Sequence, residues 1–193
     1  MGSPAPPPLP VVFTGGERGA WRVLRIAEVI GESLAPVAHL AVDEGAAAFA
    51  QVAAPSIERA WSLRGVTGHA RYAERRERTA LDAVSAPLGR TEATCAALIP
   101  IRKSAAWWAL AQDERRAIFE ERSHHIADTL KYLPAVARRL HHGRELGEPF
   151  DFLTWFEYAP EHAAAFEEMV AMLRTREEWR WVDREVDIRL IRD

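Results

Sequence analysis

Apolar and polar residues alternate in short runs along the first half of this chain, with amphipathic stretches between them. The period-two runs are bounded by glycines and predict strands. These strands are predicted at residues 11–13, 21–26 and 65–72. The alanine-rich stretch 46–60 predicts a helix that is broken or ended near Pro55. The charged run 73–83 predicts a solvated helix.

From Thr91 onward the pattern becomes more regular. Alternation and β-branched or aromatic content predict strands at residues 93–101, 135–142, 151–158 and 186–190. Helical spacing of apolar residues predicts helices at 113–129 and 161–174. Residues 135–142 are ambiguous, because Ala, Arg and Leu all favour helix, and we interpret them as a strand. The resulting order is strand, helix, strand, strand, helix, strand, which is that of a ferredoxin-like split βαβ unit.

A weaker copy of the same order is found in the first half of the chain. It predicts an α+β fold in which two ferredoxin-like units form a dimeric α+β barrel-type fold. Residues 1–10 are a Pro-rich lead-in expected to be disordered, residues 11–90 the reduced first unit, and residues 91–193 the second unit. Two such units side by side can hold a planar ligand.

Composition narrows the class of protein. The net charge of -3 over 193 residues argues against a nucleic-acid partner, which usually requires a basic face. Cys95 is the one cysteine, so the chain cannot form an internal disulfide. The N-terminus lacks the basic and apolar segments of a secretory signal, and no stretch is long and apolar enough to span a bilayer. We therefore expect a soluble, cytoplasmic protein with no membrane partner.

Arg138 is the most unusual residue of the second half. In a strand it shares a face with the apolar residues Val136 and Leu140. Burial of a guanidinium without an anion costs several kcal/mol, so the side chain must reach water or an anion must be brought to it. The alternative is that Arg138 pairs with Glu157 and decorates an edge strand.

Thr154 and Phe156 share one face of the next strand, and Leu153 and Trp155 share the other. If Thr154 and Phe156 lie beside Arg138 and Leu140, the resulting pocket has one cation, one hydroxyl and several apolar walls. Such a pocket suits a small anion.

His125 lies seven residues after Ile118 on the same predicted helical stripe, which directs its imidazole toward the sheet. It is either a core histidine or a ligand. Glu178 lies in a charged run just before the last strand. It is either a solvated charge or, if it reaches His125, the carboxylate that orients a metal-bound imidazole.

Several segments together are similar to the haem-binding chlorite dismutases, and most similar to the short-chain branch of that family. The similarity is good over residues 65–193 and loose before them, and its most specific element is the spacing from His125 to Arg138. The matching segments are Ile99–Trp108, Ser123–His125, Tyr132–Leu140, Leu146–Glu157 and Glu178–Trp179.

The resemblance implies a role for each matching residue. His125 would be the proximal ligand of haem b in the C-terminal unit, and Glu178 would accept its other N–H. Arg138 would be the distal catalytic arginine. The remaining implied positions are Leu140, Thr154 and Phe156 in the distal pocket, Tyr72 at a haem propionate and Trp107 near the porphyrin edge. The family fold and activity would then apply: chlorite is converted into chloride and dioxygen with formation of the O–O bond, in a homodimer.

Two positions depart from the family pattern. His69 stands where relatives often carry asparagine, and His141 stands where tyrosine is usual. Two alternatives stay open on sequence alone. One is a coproheme decarboxylase-like enzyme of the same superfamily, and the other is a non-catalytic haem carrier on the same scaffold.

Overall fold

The computed structural model describes residues 8–52, 58–68 and 71–192. Eight strands occur in these ranges: β1 Pro10–Gly16, β2 Trp21–Ile30, β3 His39–Glu44, β4 Arg59–Thr67, β5 Cys95–Lys103, β6 Ala137–His142, β7 Phe152–Tyr158 and β8 Val182–Ile191. They form a closed barrel in the order β1-β3-β2-β8-β5-β7-β6-β4, with every neighbouring pair antiparallel. The predicted α+β class is confirmed.

Helices connect the strands, and the longest described helix packs against the outer face of the barrel wall. Their bounds are α1 Ala46–Val52, α2 Arg75–Val84, α3 Ala105–Ala109, α4 Gln112–Arg116, α5 His125–Thr129 and α6 Ala163–Arg174. A π-helical segment, Ala117–Arg122, follows α4, and a 3-10 segment, Glu177–Trp181, leads into β8. None of the helices in the described part of the chain is long and apolar enough to cross a membrane.

The two halves of the chain contribute equal arcs of the barrel. The second half supplies the run β8-β5-β7-β6, and the first half supplies β4-β1-β3-β2. The halves are joined by β2 against β8 and by β4 against β6. The first-half order matches the second strand for strand, and its helices among the described residues are α1 and α2.

Several predicted elements of the first half need correction. The strand predicted at residues 65–72 lies at Arg59–Thr67, so the helix predicted at 46–60 is wrong at its end. Its α1 part covers Ala46–Val52, and Pro55 lies outside the described residues. The strand β3, His39–Glu44, was missed because it is short and ends in two acidic residues.

In the second half, the strand predictions are confirmed within a few residues at their ends. The helix predicted at 113–129 is not continuous. It is divided by the π-helical segment and by His124, whose φ of 52° is left-handed. The predicted helical stripe that carries Ile118 and His125 also passes through Arg122. That part of the prediction is wrong, because Arg122 is exposed. His125 is placed by the start of a new helix and not by helical spacing from Ile118.

Alternate residues of each strand divide the apolar side chains between two sides of the barrel wall. The barrel interior is filled by an apolar cluster that includes Phe13, Trp21, Leu63, Leu98, Leu153, Trp155, Ile188 and Leu190. A second cluster lies outside the wall, where Ala97, Ile99, Phe156 and Tyr158 meet Phe166 and Met169 of α6. The predicted faces of the 151–158 strand are confirmed: Leu153 and Trp155 point inward, and Phe156 points outward.

His141 belongs to the barrel interior and is only 1% exposed. Its Nδ1 donates to the carbonyl oxygen of Leu153 at 3.0 Å. Gly65 lies directly against it: a Cβ at that position would stand 2.6 Å from the His141 Cβ, so a larger residue does not fit. Burial, with smaller contributions from Arg139 and His142, lowers the pKa of His141 to about 4.

This buried imidazole predicts a loss of stability on mild acidification. The pKa of His141 in the folded protein lies below the ordinary histidine value of 6.5, which applies to the unfolded chain. The unfolded state therefore binds the additional proton, and stability falls as pH drops from about 6.5 to about 4. The contribution is about 3 kcal/mol. Denaturant unfolding across this range should show a smaller fall in the free energy of unfolding for His141→Leu. The exposed His124→Asn serves as control, and an identical slope in all three proteins would contradict the prediction.

Candidate functional site

An open cavity lies outside the barrel wall, between the outward faces of β5, β6 and β7 and the surrounding helices. We call it the outer cavity. Its lining is mostly apolar and includes Ile99, Met169 and Val170. The same cavity is lined by all eight site residues predicted from the sequence: Tyr72, Trp107, His125, Arg138, Leu140, Thr154, Phe156 and Glu178.

His125 is fixed through one nitrogen only. Its Nδ1 lies 2.7 Å from Oε2 of Glu178, and because a carboxylate only accepts, this nitrogen carries the proton. Phe119 stacks on the imidazole with ring centroids 4.3 Å apart. In the neutral imidazole, Nε2 then carries the lone pair that a metal-binding nitrogen requires.

Glu178 is 4% exposed, and its two carboxylate oxygens have different partners. Oε2 accepts from His125, and Oε1 accepts from Nζ of Lys103 at 3.1 Å. The backbone N–H of Glu178 donates to Oγ of Ser123, which fixes the segment that carries it. Burial by itself raises the pKa of Glu178, but Lys103 and His125 outweigh it and hold the pKa at about 2. The carboxylate is thus ionised at neutral pH.

Lys103 was missed by the sequence analysis. Its ammonium also donates to the Glu178 carbonyl oxygen at 3.2 Å and lies 4.7 Å from the ring centroid of Trp107. The signal was present: alternation along β5 places Lys103 on the same outward face as Ile99 and Ile101. It is a cation on an apolar face, the same anomaly that singled out Arg138.

Arg138 shares the outer cavity with the His125 and Glu178 pair. In the β6 and β7 ladder it lies opposite Phe156, while Leu140 lies opposite Thr154, as expected from the alternation. The Arg138 guanidinium has no hydrogen bond or ion pair with any residue in the described part of the chain. Burial lowers the pKa of Arg138 for that reason.

The alternative pairing of Arg138 with Glu157 is wrong. The Glu157 carboxylate accepts from the backbone N–H of Gly89 at 2.6 Å and from Nε1 of Trp155 at 2.9 Å. Its side chain lies on the other side of the barrel wall, because residues 156 and 157 alternate. Arg138 is therefore a cation without a protein counterion among the described residues.

Tyr72 and Trp107 meet edge to face in the cavity wall, with ring centroids 5.8 Å apart. Both are buried, and neither the Tyr72 hydroxyl nor the Trp107 Nε1 has a hydrogen-bond partner in the described part of the chain. Buried donors of this kind are costly unless a ligand or water satisfies them. His69, the other departure noted near Tyr72, lies outside the described residues.

Any metal held by His125 must bring further ligands with it. Within the described ranges, no group of three or more His, Cys, Asp or Glu side chains could hold a metal ion. One imidazole alone does not form a stable zinc or iron site.

Glu120 positions His125 through the backbone. It is a buried carboxylate whose Oε2 accepts from the N–H of Ile126 at 2.6 Å and whose Oε1 accepts from the N–H of Ala127 at 3.1 Å. These N–H groups belong to the first turn of α5, where a helix leaves its donors unsatisfied. The carboxylate thus fixes the helix that begins at His125.

We expect Glu120→Ala to lower the free energy of unfolding by about 1–2 kcal/mol, the usual cost of losing a helix cap. Denaturant unfolding measures the change. Glu121→Ala is the matched control, because Glu121 is exposed and adjacent. Equal midpoints for the two variants would show that Glu120 does not cap α5.

Comparison with known proteins agrees with the fold. A model of the family named chlorite dismutase matches residues 38–192. Chlorite dismutase from Ideonella dechloratans is 39% identical over 60 residues, which are 31% of this chain and only 20% of that relative. The chain thus belongs to the chlorite dismutase family.

Solved structures extend the comparison to the whole fold. The dimeric chlorite dismutase from Nitrobacter winogradskyi is 63% identical, with a TM-score of 0.85 over 95% of this chain and 99% of that one. A variant of chlorite dismutase from Candidatus Nitrospira defluvii, in complex with cyanide, is 21% identical with a TM-score of 0.69 over 96% and 91% of the chains. The second likeness concerns the fold alone.

Proposed function

We propose that this protein is a haem b enzyme that converts chlorite into chloride and dioxygen with formation of the O–O bond. The observation that carries the proposal is the combination of two groups in one apolar cavity. One is the His125 imidazole oriented by Glu178, and the other is the Arg138 guanidinium without a counterion. Family membership and the similarity to the dimeric enzyme support the same function.

The residues of the outer cavity fit haem b. His125 would bind the iron through Nε2, which is the nitrogen that Glu178 does not contact. The unpartnered donors of Tyr72 and Trp107 would meet polar groups of the macrocycle, Tyr72 at a propionate and Trp107 near the porphyrin edge. Apolar side chains such as Ile99 and Val170 would pack against the porphyrin. Haem would supply an iron centre with an open coordination position.

Each proximal residue has a definable task. Glu178 holds the proton on Nδ1 of His125 and gives the imidazole anionic character, which stabilises oxidised iron. Lys103 neutralises the second oxygen of the same carboxylate, so that the buried negative charge persists. The proximal side would thus be a chain of three charged or polar groups, of which Glu178 and Lys103 are buried.

On the distal side, Arg138 would bind the chlorite anion. It would then hold the hypochlorite that is left when the first Cl–O bond breaks, until the O–O bond has formed and chloride is released. A fixed cation attracts an anion more strongly in an apolar cavity than in water, because little solvent screens the attraction. Thr154 offers a hydroxyl for hydrogen bonding, and Leu140 and Phe156 exclude water from the reacting groups.

The proposal includes the assembly and the domain organisation. The chain would form a homodimer, as the similar protein from Nitrobacter winogradskyi does by its description. Residues 11–90 and 91–193 would be two ferredoxin-like units, because the strand orders β4-β1-β3-β2 and β8-β5-β7-β6 are the same cyclic pattern. Haem would lie in the second unit.

The decisive experiment measures the absorption spectrum of the purified protein and then oxygen release after addition of chlorite. A Soret band together with oxygen release supports the proposal. Full haem loading without oxygen release would overturn it in favour of a haem carrier. Addition of coproheme and peroxide, with haem b as the product sought, tests the decarboxylase alternative in the same preparation.

A further inference from the structure

A second cavity lies inside the barrel, on the other side of the β6 and β7 wall from the outer cavity. We call it the barrel cavity, and its volume is about 320 Å³. Successive residues of β6 face the two cavities in turn: Arg138 and Leu140 line the outer cavity, and Arg139 and His141 line the barrel cavity. The proposed function makes no use of this second space.

Aromatic rings form much of its wall. Phe13 meets His141 edge to face with ring centroids 5.2 Å apart, and Trp155 meets Trp21 in the same way at 5.3 Å. Phe13 and Trp155 are themselves 5.7 Å apart. Such edge-to-face arrangements favour a further aromatic ring as a neighbour.

The charged groups at this cavity are one arginine and two carboxylates. Arg139 pairs with Glu44, whereas both oxygens of Glu157 accept from uncharged donors, the backbone N–H of Gly89 and Nε1 of Trp155. This arrangement does not favour an anionic ligand in the barrel cavity.

One hydrogen-bonding atom of the lining remains unsatisfied. The Nδ1 proton of His141 is donated to Leu153, which leaves the lone pair of Nε2 as an acceptor. That Nε2 is fully buried and has no partner among the described residues. Burial also keeps the ring neutral at pH 7, since its pKa is lowered to about 4. The missing partner is a hydrogen-bond donor.

We propose that the barrel cavity binds a small uncharged aromatic molecule of the phenol class, whose hydroxyl donates to Nε2 of His141 while its ring packs against Phe13 and Trp155. This inference rests on the barrel interior alone and does not depend on the chemistry of the outer cavity. A volume of this order is in the range of small-molecule sites.

The test compares 4-bromophenol with 4-bromoanisole, which has the same ring but cannot donate. Isothermal titration of the purified haem-containing protein should show one site that prefers 4-bromophenol about tenfold, the value of one hydrogen bond. The Soret band should stay unchanged, because the site is separated from the outer cavity by the barrel wall. His141→Leu should abolish the preference. Thr154→Val, on the opposite face of the wall, should retain it.

Crystals soaked in 4-bromophenol locate the probe in the unaltered protein, so the test survives if His141→Leu fails to fold. A bromine anomalous peak inside the barrel, with the phenol oxygen at hydrogen-bond distance from Nε2, supports the proposal. Equal affinity for the two probes, a Soret shift over the same titration, or binding at crystal concentration only would each overturn it.

Discussion

His125→Ala is expected to lose haem, with a fall in haem affinity of at least about 100-fold and disappearance of the five-coordinate spectrum. His125 is the one histidine among the described residues that line the outer cavity, so no second imidazole there can replace it. Loss of orienting partners alone costs about 10- to 100-fold in metal affinity, and loss of the ligand should cost more. Haem transfer to an acceptor protein and the Soret band measure the effect.

His124→Asn is the matched control for this experiment. His124 is adjacent and exposed, and asparagine tolerates the left-handed backbone found there. The control should retain both the affinity and the spectrum. Full haem occupancy with an unaltered Soret band in His125→Ala would remove His125 as the iron ligand.

Arg138→Ala is expected to bind haem normally but to complete fewer turnovers before the haem bleaches. Removal of the cation leaves chlorite without its charge-assisted hydrogen bond, which should lower kcat/KM about tenfold or more. It also allows hypochlorite to escape from the cavity and attack the protein. Oxygen release, the Soret amplitude during turnover and trapping of released hypochlorite measure the three effects.

Arg138→Lys separates charge from shape, because lysine keeps the cation without the planar fork of donors. It should recover part of the durability lost in Arg138→Ala. The exposed Arg102→Ala controls for the loss of any arginine from this part of the sheet. Unchanged turnover number and kcat/KM in Arg138→Ala would defeat the assignment of Arg138.

The faces of the strands could be predicted from sequence because alternation is a local property. Arg138, Leu140, Thr154 and Phe156 reached one cavity for that reason. The identity of His125 and Glu178 as partners could only be guessed, because they are 53 residues apart in sequence and their 2.7 Å contact is tertiary. The roles taken from the family resemblance remain predictions.

The path of the chain around His125 could not be predicted from the periodicity of the sequence. A continuous helical stripe does not contain the information that residues 117–122 widen into a π-helical segment or that His124 turns left-handed. The carboxylate of Glu120, which caps α5 from within that segment, depends on the same local break. The predicted bounds of α1 and β4 were wrong for a different reason. Alanine favours helix even where tertiary pairing requires a strand.

The two consecutive arginines of β6 make the barrel wall unusual in one respect. Because strand side chains alternate, a one-residue deletion before β6 that shifted its pairing would exchange the two faces. Arg139 would then enter the outer cavity in place of Arg138, and His141 would replace Leu140. The cation over the proposed active site would survive the slip, whereas its apolar neighbour would become an imidazole. Insertions and deletions at this strand should therefore alter the polarity of the site more than its charge.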